Sequence, residues 1–483
     1  MDQRKLSRRD FLRVSALTAA GAALAACAPA APPVPPPTAP QAPQPTAPPQ
    51  PTAVPPAPAP VTVTFTGWGG TEENDGVLAA AKYFMQQNPD IKINWIQIPE
   101  NYAEKLLSMV AAGTPPDTAF CYNTIFQDYA RKGLLLDITS KLKADPVIGA
   151  KNYFIEPQET ERCTVNGKWY GIGSCWVAAH MYYNADVFAK EGIKPPSNDP
   201  AEAWDWNKFL EVAKQLTVDA KGKHPGEAGF DRDNVQRWGV QWPQNNVVYT
   251  HAAIAANGGR FINPDTGLLE LDKPEASEAL QRIADLMLVQ NVAPRNAAFS
   301  ALGLTNTQML ETGKLAMAID GSWALAWITK IKANLGTAAL PKMKQLGTDM
   351  QAHIHVALSG SKNPDQAWQW LKFLATEYYQ MIFLKIGLWL PSQTALMTAD
   401  GMKKWYTERK APGDGVHPAG YDKIVTEFVP KYGHVLYMPP GYPEADALIT
   451  PALDAVWVGD KTAEAAMKAV VPQANAVLKA AKG

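Results

Sequence analysis

From residue 61 onward, hydrophobic and polar positions alternate in blocks. Val61, Val63 and Phe65 are interleaved with Thr62, Thr64 and Thr66. That is the two-residue period of a strand with one buried face, and Gly67-Trp68-Gly69-Gly70 closes it. Val77, Leu78, Ala81, Phe84 and Met85 then recur at helical spacing, predicting a helix that stops before Asn88-Pro89. Residues 91–98 return as a strand. Residues 102–112, with Leu106, Leu107 and Val110 on one side, read as a second helix stopped by Gly113 and Pro115-Pro116. Strand, helix, strand, helix at this pace predicts an α/β sheet with parallel crossovers.

The same alternation resumes further on. Residues 275–290 place Ala276, Leu280, Ile283 and Met287 on one helical face. Residues 315–319 read as a short strand after Gly313, which suits a helix C-cap. Residues 367–378 form a predicted helix with Trp368, Leu371 and Leu374 or Ala375 inward, and residues 462–479 form another around Pro472. No internal repeat is present. At roughly 150 residues per domain, residues 61–483 predict two or three domains.

The first 60 residues follow other rules. Ser7-Arg8-Arg9-Asp10-Phe11-Leu12-Arg13 is a basic segment with the paired arginines of a twin-arginine export signal. The 13 uncharged, Ala/Leu-rich residues 14–26 follow, short of the ~20 that would span a bilayer. Leu24-Ala25-Ala26-Cys27 is similar to a bacterial lipobox, in which the cysteine is acylated and becomes the first residue; cleavage at an A-x-A site is the simpler alternative. Residues 1–26 are therefore read as a twin-arginine lipoprotein signal and residues 27–60 as a lipidated Cys27 with a Pro-rich tether. Residues 28–60, almost all Pro, Ala, Gln and Thr, suit polyproline II and could reach roughly 100 Å. Beyond the anchor, no stretch approaches the length of a membrane span.

Composition mainly excludes. The chain is 46% hydrophobic and carries a formal charge of −1 with no basic block after the signal, which argues against a nucleic-acid partner. No metalloprotease, P-loop or nucleophile-elbow motif occurs, and Gly171-Ile172-Gly173-Ser174-Cys175-Trp176 puts a tryptophan where a dinucleotide loop needs glycine. His353 and His355 would share a strand face, but no third metal ligand is near in sequence, so no metal and no cofactor is expected. Asn166-Gly167 predicts a hairpin that sets Cys163 opposite Tyr170, so free buried thiols are favoured at Cys121, Cys163 and Cys175, with a disulfide left open. With no catalytic constellation, the protein is read as a non-enzyme.

Tryptophan changes the picture. There are 15, and several stand in turns where a core would not place them. Trp68 lies between glycines at a strand end, Trp176 follows a glycine-rich turn, Trp242 precedes Pro243, Trp323 follows Asp320-Gly321-Ser322, and Trp389 sits in Gly387-Leu388-Trp389-Leu390-Pro391. Ligands of open α/β sheets bind beyond strand ends, where such turns cluster. Indole faces there suit the apolar faces of pyranose rings, and nearby Asn, Asp, Glu and Tyr groups suit the hydroxyls.

Several segments resemble the extracellular solute-binding proteins, family 1, of sugar importers. They include Asn88-Pro89-Asp90-Ile91, Gly113-Thr114-Pro115-Pro116-Asp117, Gly133-Leu134-Leu135-Leu136-Asp137, Asn166-Gly167-Lys168-Trp169-Tyr170-Gly171, Tyr183-Asn184-Ala185-Asp186, Gly313-Lys314-Leu315-Ala316-Met317 and Asp320-Gly321-Ser322-Trp323. The resemblance implies a two-lobe, periplasmic-binding-protein-like α/β fold with a hinged ligand cleft. By analogy with maltodextrin-binding relatives, the crossings fall near 174–178, 336–341 and 387–391. The N-terminal lobe would then be 61–175 plus 341–387 and the C-terminal lobe 176–337 plus 391–483. The same analogy makes Trp323 a sugar-stacking residue and the Tyr122-Asn123 loop a contact loop.

The resulting expectation is a monomeric lipoprotein on the outer face of the cytoplasmic membrane, attached through its lipid alone, that hands a sugar or short oligosaccharide to an ABC permease. Its expected ligand residues are Trp68, Glu73, Tyr122, Asn123, Trp176, Trp242, Asp320, Trp323 and Trp389. A same-fold receptor for a polyol, phosphodiester or peptide, a secreted glycoside hydrolase and a cell-wall adhesion module are the alternatives. The anchor is testable by itself. Expressed in a bacterium with twin-arginine export, the chain partitions with membranes, whereas Cys27→Ser is neither processed there nor lipidated. An intact mass that places the mature N-terminus elsewhere would refute the lipobox.

Overall fold

Val61–Gly67 is a strand, as the threonine alternation predicts, with Val63 and Phe65 fully buried. A computed structural model describes residues 59–244 and 246–481; the signal, Cys27 and the tether as far as residue 58 lie outside the described residues. Ile91–Gln97 pairs parallel on one side of the first strand and keeps an edge pattern, with Ile91 and Ile93 buried and Lys92 and Asn94 exposed. Thr118–Cys121 pairs parallel on the other side. Helix Thr71–Gln87 covers this sheet with Gly76, Val77, Ala80, Ala81 and Phe84, the three-four spacing of one buried face. Gly76 is required there, because a Cβ would stand 2.4 Å from the Phe383 ring.

The order of the first sheet is Ile91–Gln97, Val61–Gly67, Thr118–Cys121, Ile354–Ala357, Gly171–Gly173. The second sheet runs Leu335–Ala338, Ala179–Asn184, Leu315–Gly321, Val235–Gln241, Val218–Asp219. The expectation of parallel crossovers holds for only part of each. Ile354–Ala357 is antiparallel to both its neighbours, and Ala179–Asn184 is antiparallel to both of its own. Both strands enter their sheet directly from the other one, so they arrive in reversed direction.

The crossing segments bond to one another. After Gly171–Gly173, Trp176 exchanges two main-chain hydrogen bonds with Leu390 (3.0 and 2.9 Å), and Val177 exchanges two with Gln351 (2.8 and 3.1 Å). The second crossing therefore lies at 351–353, which corrects the expected 336–341. Leu335–Ala338 is still an edge strand of the second sheet, and Gln345 N donates to Ala256 O (3.0 Å), so residues 341–350 pack with that sheet. Gly336 serves close packing there, since a Cβ would lie 2.1 Å from the Tyr183 ring. Past Leu390 the chain stays with the first sheet, where Ser392 O accepts from Ile155 N (3.0 Å). It reaches the second only near Arg409, which donates to Ile331 O (2.6 Å).

Other expectations are met or shifted locally. Cys121, Cys163 and Cys175 are free and buried, and Tyr170 N donates to Cys163 O as the hairpin register requires. Helix Pro364–Leu374 buries Trp370, while Trp368 is only half-buried, so the packed tryptophan is two positions later than expected. Trp370 meets Phe65 and Phe84 edge-on at 5.4 and 5.0 Å and stacks on Phe373 at 5.3 Å. Among the described residues no helix is long and apolar enough to cross a membrane. Trp370→Ala is expected to lower unfolding free energy by about 3–5 kcal/mol, the usual cost of a buried aromatic cavity. Trp368→Ala should cost clearly less. Chemical denaturation of both variants checks the order, and equal losses would show that the helix does not present its face as described.

Candidate functional site: a tryptophan-lined cleft

The crossing strands make the floor of a cavity of about 350 Å³, contributed by Val177, Gln351 and Ala352. The first sheet supplies one wall. Trp68, at the end of Val61–Gly67, stacks on Tyr122 with ring centroids 3.9 Å apart and planes 9° from parallel. Tyr122 precedes helix Asn123–Arg131, so two adjacent strand ends place both rings on the same wall of the cavity. Gly69 then turns the chain at φ +118, where a Cβ would strike the Glu73 carboxylate at 2.2 Å. This glycine lets Glu73 fold back under the turn, into the cavity lining.

The second sheet supplies the other wall. Leu315–Gly321 ends in a tight turn, and Ser322–Ala324 and Leu325–Ile328 form a short helical run carrying Trp323 and Trp327. Ser322 does not cap this run through its side chain; its hydroxyl accepts from Ala178 N (3.3 Å) and ties the turn to the first crossing strand. Trp323 is half-buried and Trp327 is 43% exposed, and both line the cavity.

Six of the expected ligand residues meet here: Trp68, Glu73, Tyr122, Asn123, Trp323 and Trp389. Trp389 is buried, stacks on Phe383 at 3.9 Å and hydrogen-bonds the Glu73 carboxyl. Trp176 and Trp242 are corrections. Trp176 is fully buried beneath the Arg162 guanidinium, 3.6 Å from its ring centre. Trp242 is fully buried against Trp206 and donates its indole N–H to Tyr249 O (3.2 Å). Their turn-like sequence surroundings belong to a crossing strand and a strand end, where neighbouring elements close over the ring. Asp320 faces a neighbouring cavity and accepts from Tyr249 Oη (2.8 Å) and Asn306 Nδ2 (3.3 Å).

Glu72, Asn246, Trp327, Gln351 and His353 line the cleft without having been expected there. Trp327 was findable, because its spacing of four from Trp323 places both rings on one side of a helical turn. Gln351 and His353 carry no such signal; they depend on where the second crossing falls. His353 stacks on Phe120 at 4.1 Å, and burial holds its imidazole well below the usual range, hence neutral. Among the described residues no group of three or more His, Cys, Asp or Glu side chains is placed to hold a metal ion.

Charge is unevenly placed. Among the described residues no lysine or arginine lines the cavity, whereas Glu72 and Glu73 both do. Glu72 pairs with Lys330, joining the first helix to the segment after Leu325–Ile328, and this hydrogen bond holds its carboxyl below the ordinary value. Burial pushes Glu73 the other way, from 4.5 up to about 8, only partly offset by the Trp389 hydrogen bond. At neutral pH Glu73 is therefore a carboxylic acid that can both donate and accept. The site thus offers flat apolar faces beside uncharged hydrogen-bonding groups, with the Glu72–Lys330 ion pair at its rim.

Comparison with known proteins fits this geometry. The family described as bacterial extracellular solute-binding protein matches residues 67–381. A binding protein of Brucella abortus (strain 2308) is 25% identical over 410 residues, covering 82% of this chain and 88% of its own. In fold the chain is similar to the ABC substrate-binding protein Lmo0181 from Listeria monocytogenes in complex with cycloalternan, with TM-score 0.73 and 23% identity over 87% of this chain and 99% of that one. Maltose-bound MalE3 of T. maritima is also similar, with TM-score 0.68 and 19% identity over 86% of this chain and all of the other.

The Glu73 proton has a measurable consequence. Between pH 4.5 and about 8 the folded protein holds a proton that the unfolded chain has released. Stability contributed by this group is therefore greatest below that window and falls as pH rises through it. Glu73→Gln keeps the shape and removes the titration. The melting temperature of wild type relative to Glu73→Gln should fall steadily across the window, and a difference independent of pH would contradict the buried acid.

Proposed function

The chain belongs to the bacterial extracellular solute-binding protein family, and from that premise we propose that it is a non-enzymatic receptor that binds a sugar or short oligosaccharide and delivers it to an ABC permease. The observation that carries this is the pair of facing aromatic walls. Trp68 on Tyr122 comes from one sheet, and Trp323 with Trp327 comes from the other, over a floor of hydrogen-bonded crossing strands. Stacked indoles and phenols match the apolar faces of pyranoses, while Asn123, Asn246, Gln351 and the protonated Glu73 match hydroxyls. Among the described residues that line the cleft none is a lysine or arginine, and the nearby Lys330 is already paired with Glu72, so a phosphodiester would find no free cation for its charge. The like-folded proteins that hold cycloalternan and maltose support the sugar class.

Motion follows from the same arrangement. In this reading residues 61–173 with 354–394 make one lobe and residues 179–350 with 409–481 the other, hinged at 174–178, 351–353 and 395–408. A ligand touched by both walls favours the closed form, and Glu72–Lys330 links the two walls at the mouth. Family membership makes the protein extracytoplasmic; Cys27 acylation and the tether would hold it, as a monomer, within reach of the permease.

A thermal-shift panel of sugars and polyols, beginning with maltose and maltotriose, identifies the ligand. Trp323→Ala then removes an apolar face of about 100 Å², worth ~2.5 kcal/mol, or about a 70-fold weaker dissociation constant by calorimetry. Its melting temperature should stay near wild type. A variant that binds as tightly as wild type but melts much lower would make Trp323 a packing residue, and a panel in which nothing stabilises the protein would overturn the sugar reading.

A further inference from the structure

Arg409 follows directly on the third crossing, and its side chain is buried, only 7% exposed. The guanidinium donates to three main-chain carbonyls: Nη1 to Ile328 O (3.4 Å), and Nη2 to Ile331 O (2.6 Å) and Ala333 O (3.1 Å). A buried guanidinium needs acceptors to offset its lost hydration, and these three carbonyls serve it. They lie at the end of the helical run Ser322–Ala324 and Leu325–Ile328 and in the turn that follows. A helix C-terminus leaves its last carbonyls without intrahelical partners and carries partial negative charge there. A cationic fork of donors suits both properties.

The run that Arg409 grips is the one that carries the second aromatic wall. Trp323 and Trp327 line the cleft from it, and Lys330, which reaches Glu72 at the mouth, stands in the gripped turn. Other ties on this turn are exposed: Lys332 N donates to Glu311 (3.1 Å) and Asn334 N to Asp186 (2.9 Å). Arg409 holds it from the buried side. The backbone of Arg409 is itself fixed, its N–H donating to His417 O (2.7 Å). Thr407 N donates to His417 Nδ1 (3.0 Å), which leaves the ring proton on Nε2, and Nε2 donates to Leu384 O (3.1 Å) at the end of helix Glu377–Leu384. Hydrogen bonds thus run without a gap from a helix packed on the first sheet, through the third crossing, to the run bearing the two tryptophans.

We propose that Arg409 is the positioning residue of the second aromatic wall: it sets where Trp323 and Trp327 stand over the cleft, and so controls affinity without touching the ligand. Arg409 does not line the cleft, so it acts only through the residues it holds. A short helical run has too few internal hydrogen bonds to fix its own position, and an anchor at its C-terminal end decides how its side chains meet a ligand. The effect on affinity rests on the sugar-receptor reading above; the placement of the two rings does not.

Arg409→Met keeps the apolar stem and removes every donor, while Arg409→Lys keeps the charge but replaces the fork with a single ammonium. The full chain is labelled with 5-fluorotryptophan, and the fluorine NMR lines of positions 323, 327 and 370 are assigned with single Trp→Phe variants. In Arg409→Met the lines of Trp323 and Trp327 should move while that of Trp370, in the core beside the first sheet, stays in place; Arg409→Lys should fall between. Calorimetry with maltotriose should show binding about tenfold weaker for Arg409→Met, and only about twofold weaker when the substitution is added to Trp323→Ala. Unmoved lines, or moved lines with unchanged affinity, overturn the proposal; a lowered melting temperature with neither effect makes Arg409 a packing residue. An equal loss of affinity with and without Trp323 shows that Arg409 acts elsewhere and overturns it too. Should wild type not bind maltotriose, the sugar reading fails for that sugar, and the fluorine lines alone decide the role of Arg409. If Arg409→Met does not fold, Arg409→Lys carries the same comparison.

Discussion

Four main-chain hydrogen bonds hold the two sheets in one frame. Trp176 with Leu390 and Val177 with Gln351 join three segments of distant sequence at the floor of the cleft. Main-chain pairing of this kind cannot be left unmade in a dry interior, so these bonds fix the first crossing against both the second crossing and the Leu390 segment. The first of them is clamped further from below. Arg162 donates to Cys175 O (2.6 Å) and pairs with Glu159, which in turn accepts from Gly173 N (2.7 Å). A buried ion pair is a poor source of net stability, but each of its groups here is satisfied, and the arrangement fixes where Gly173 ends and Trp176 begins.

The walls of the cleft follow from that floor. Each sheet ends its strands at the crossings, and the residues just past those ends are the ones left facing the gap: Trp68 and Tyr122 on one side, Trp323 and Trp327 on the other. Glycines decide how close the backbone comes. Gly69 admits the Glu73 carboxyl, and Gly321 admits the Trp323 ring, whose atoms would lie 2.3 Å from an added Cβ. The result is an aromatic cavity assembled from turns whose geometry is set by packing behind them.

Electrostatics sort into two zones. Around the cleft, burial keeps four groups neutral: His353 and His355 lie well below the usual imidazole range, and Asp349 and Glu73 lie above the usual carboxyl range. Full charges stand in the buried Arg162–Glu159 pair beneath the floor and at the rim, where Lys330 meets Glu72 across the mouth. A neutral lining suits a neutral, hydroxyl-rich ligand, and the Glu72–Lys330 pair stands apart from it at the mouth.

The sequence by itself determined the local elements and the kind of chemistry. The alternation at Val61 to Phe65, the helix before Asn88-Pro89 and the hairpin at Asn166-Gly167 were legible because their signals lie within a few residues. So were Trp68, Trp323 and Trp389, as large aromatics in turns, while Tyr122 and Asn123 came from the family resemblance. Tertiary structure alone decided the rest. Trp176 and Trp242 look like Trp68 in sequence, yet neighbours from distant segments enclose them, and no local pattern records such a neighbour. The second crossing moved from 336–341 to 351–353 because Leu335–Ala338 found a strand partner in Ala179–Asn184, more than a hundred residues earlier. Pairing between remote strands fixes which segments face the cleft, and that choice is made by the whole fold at once.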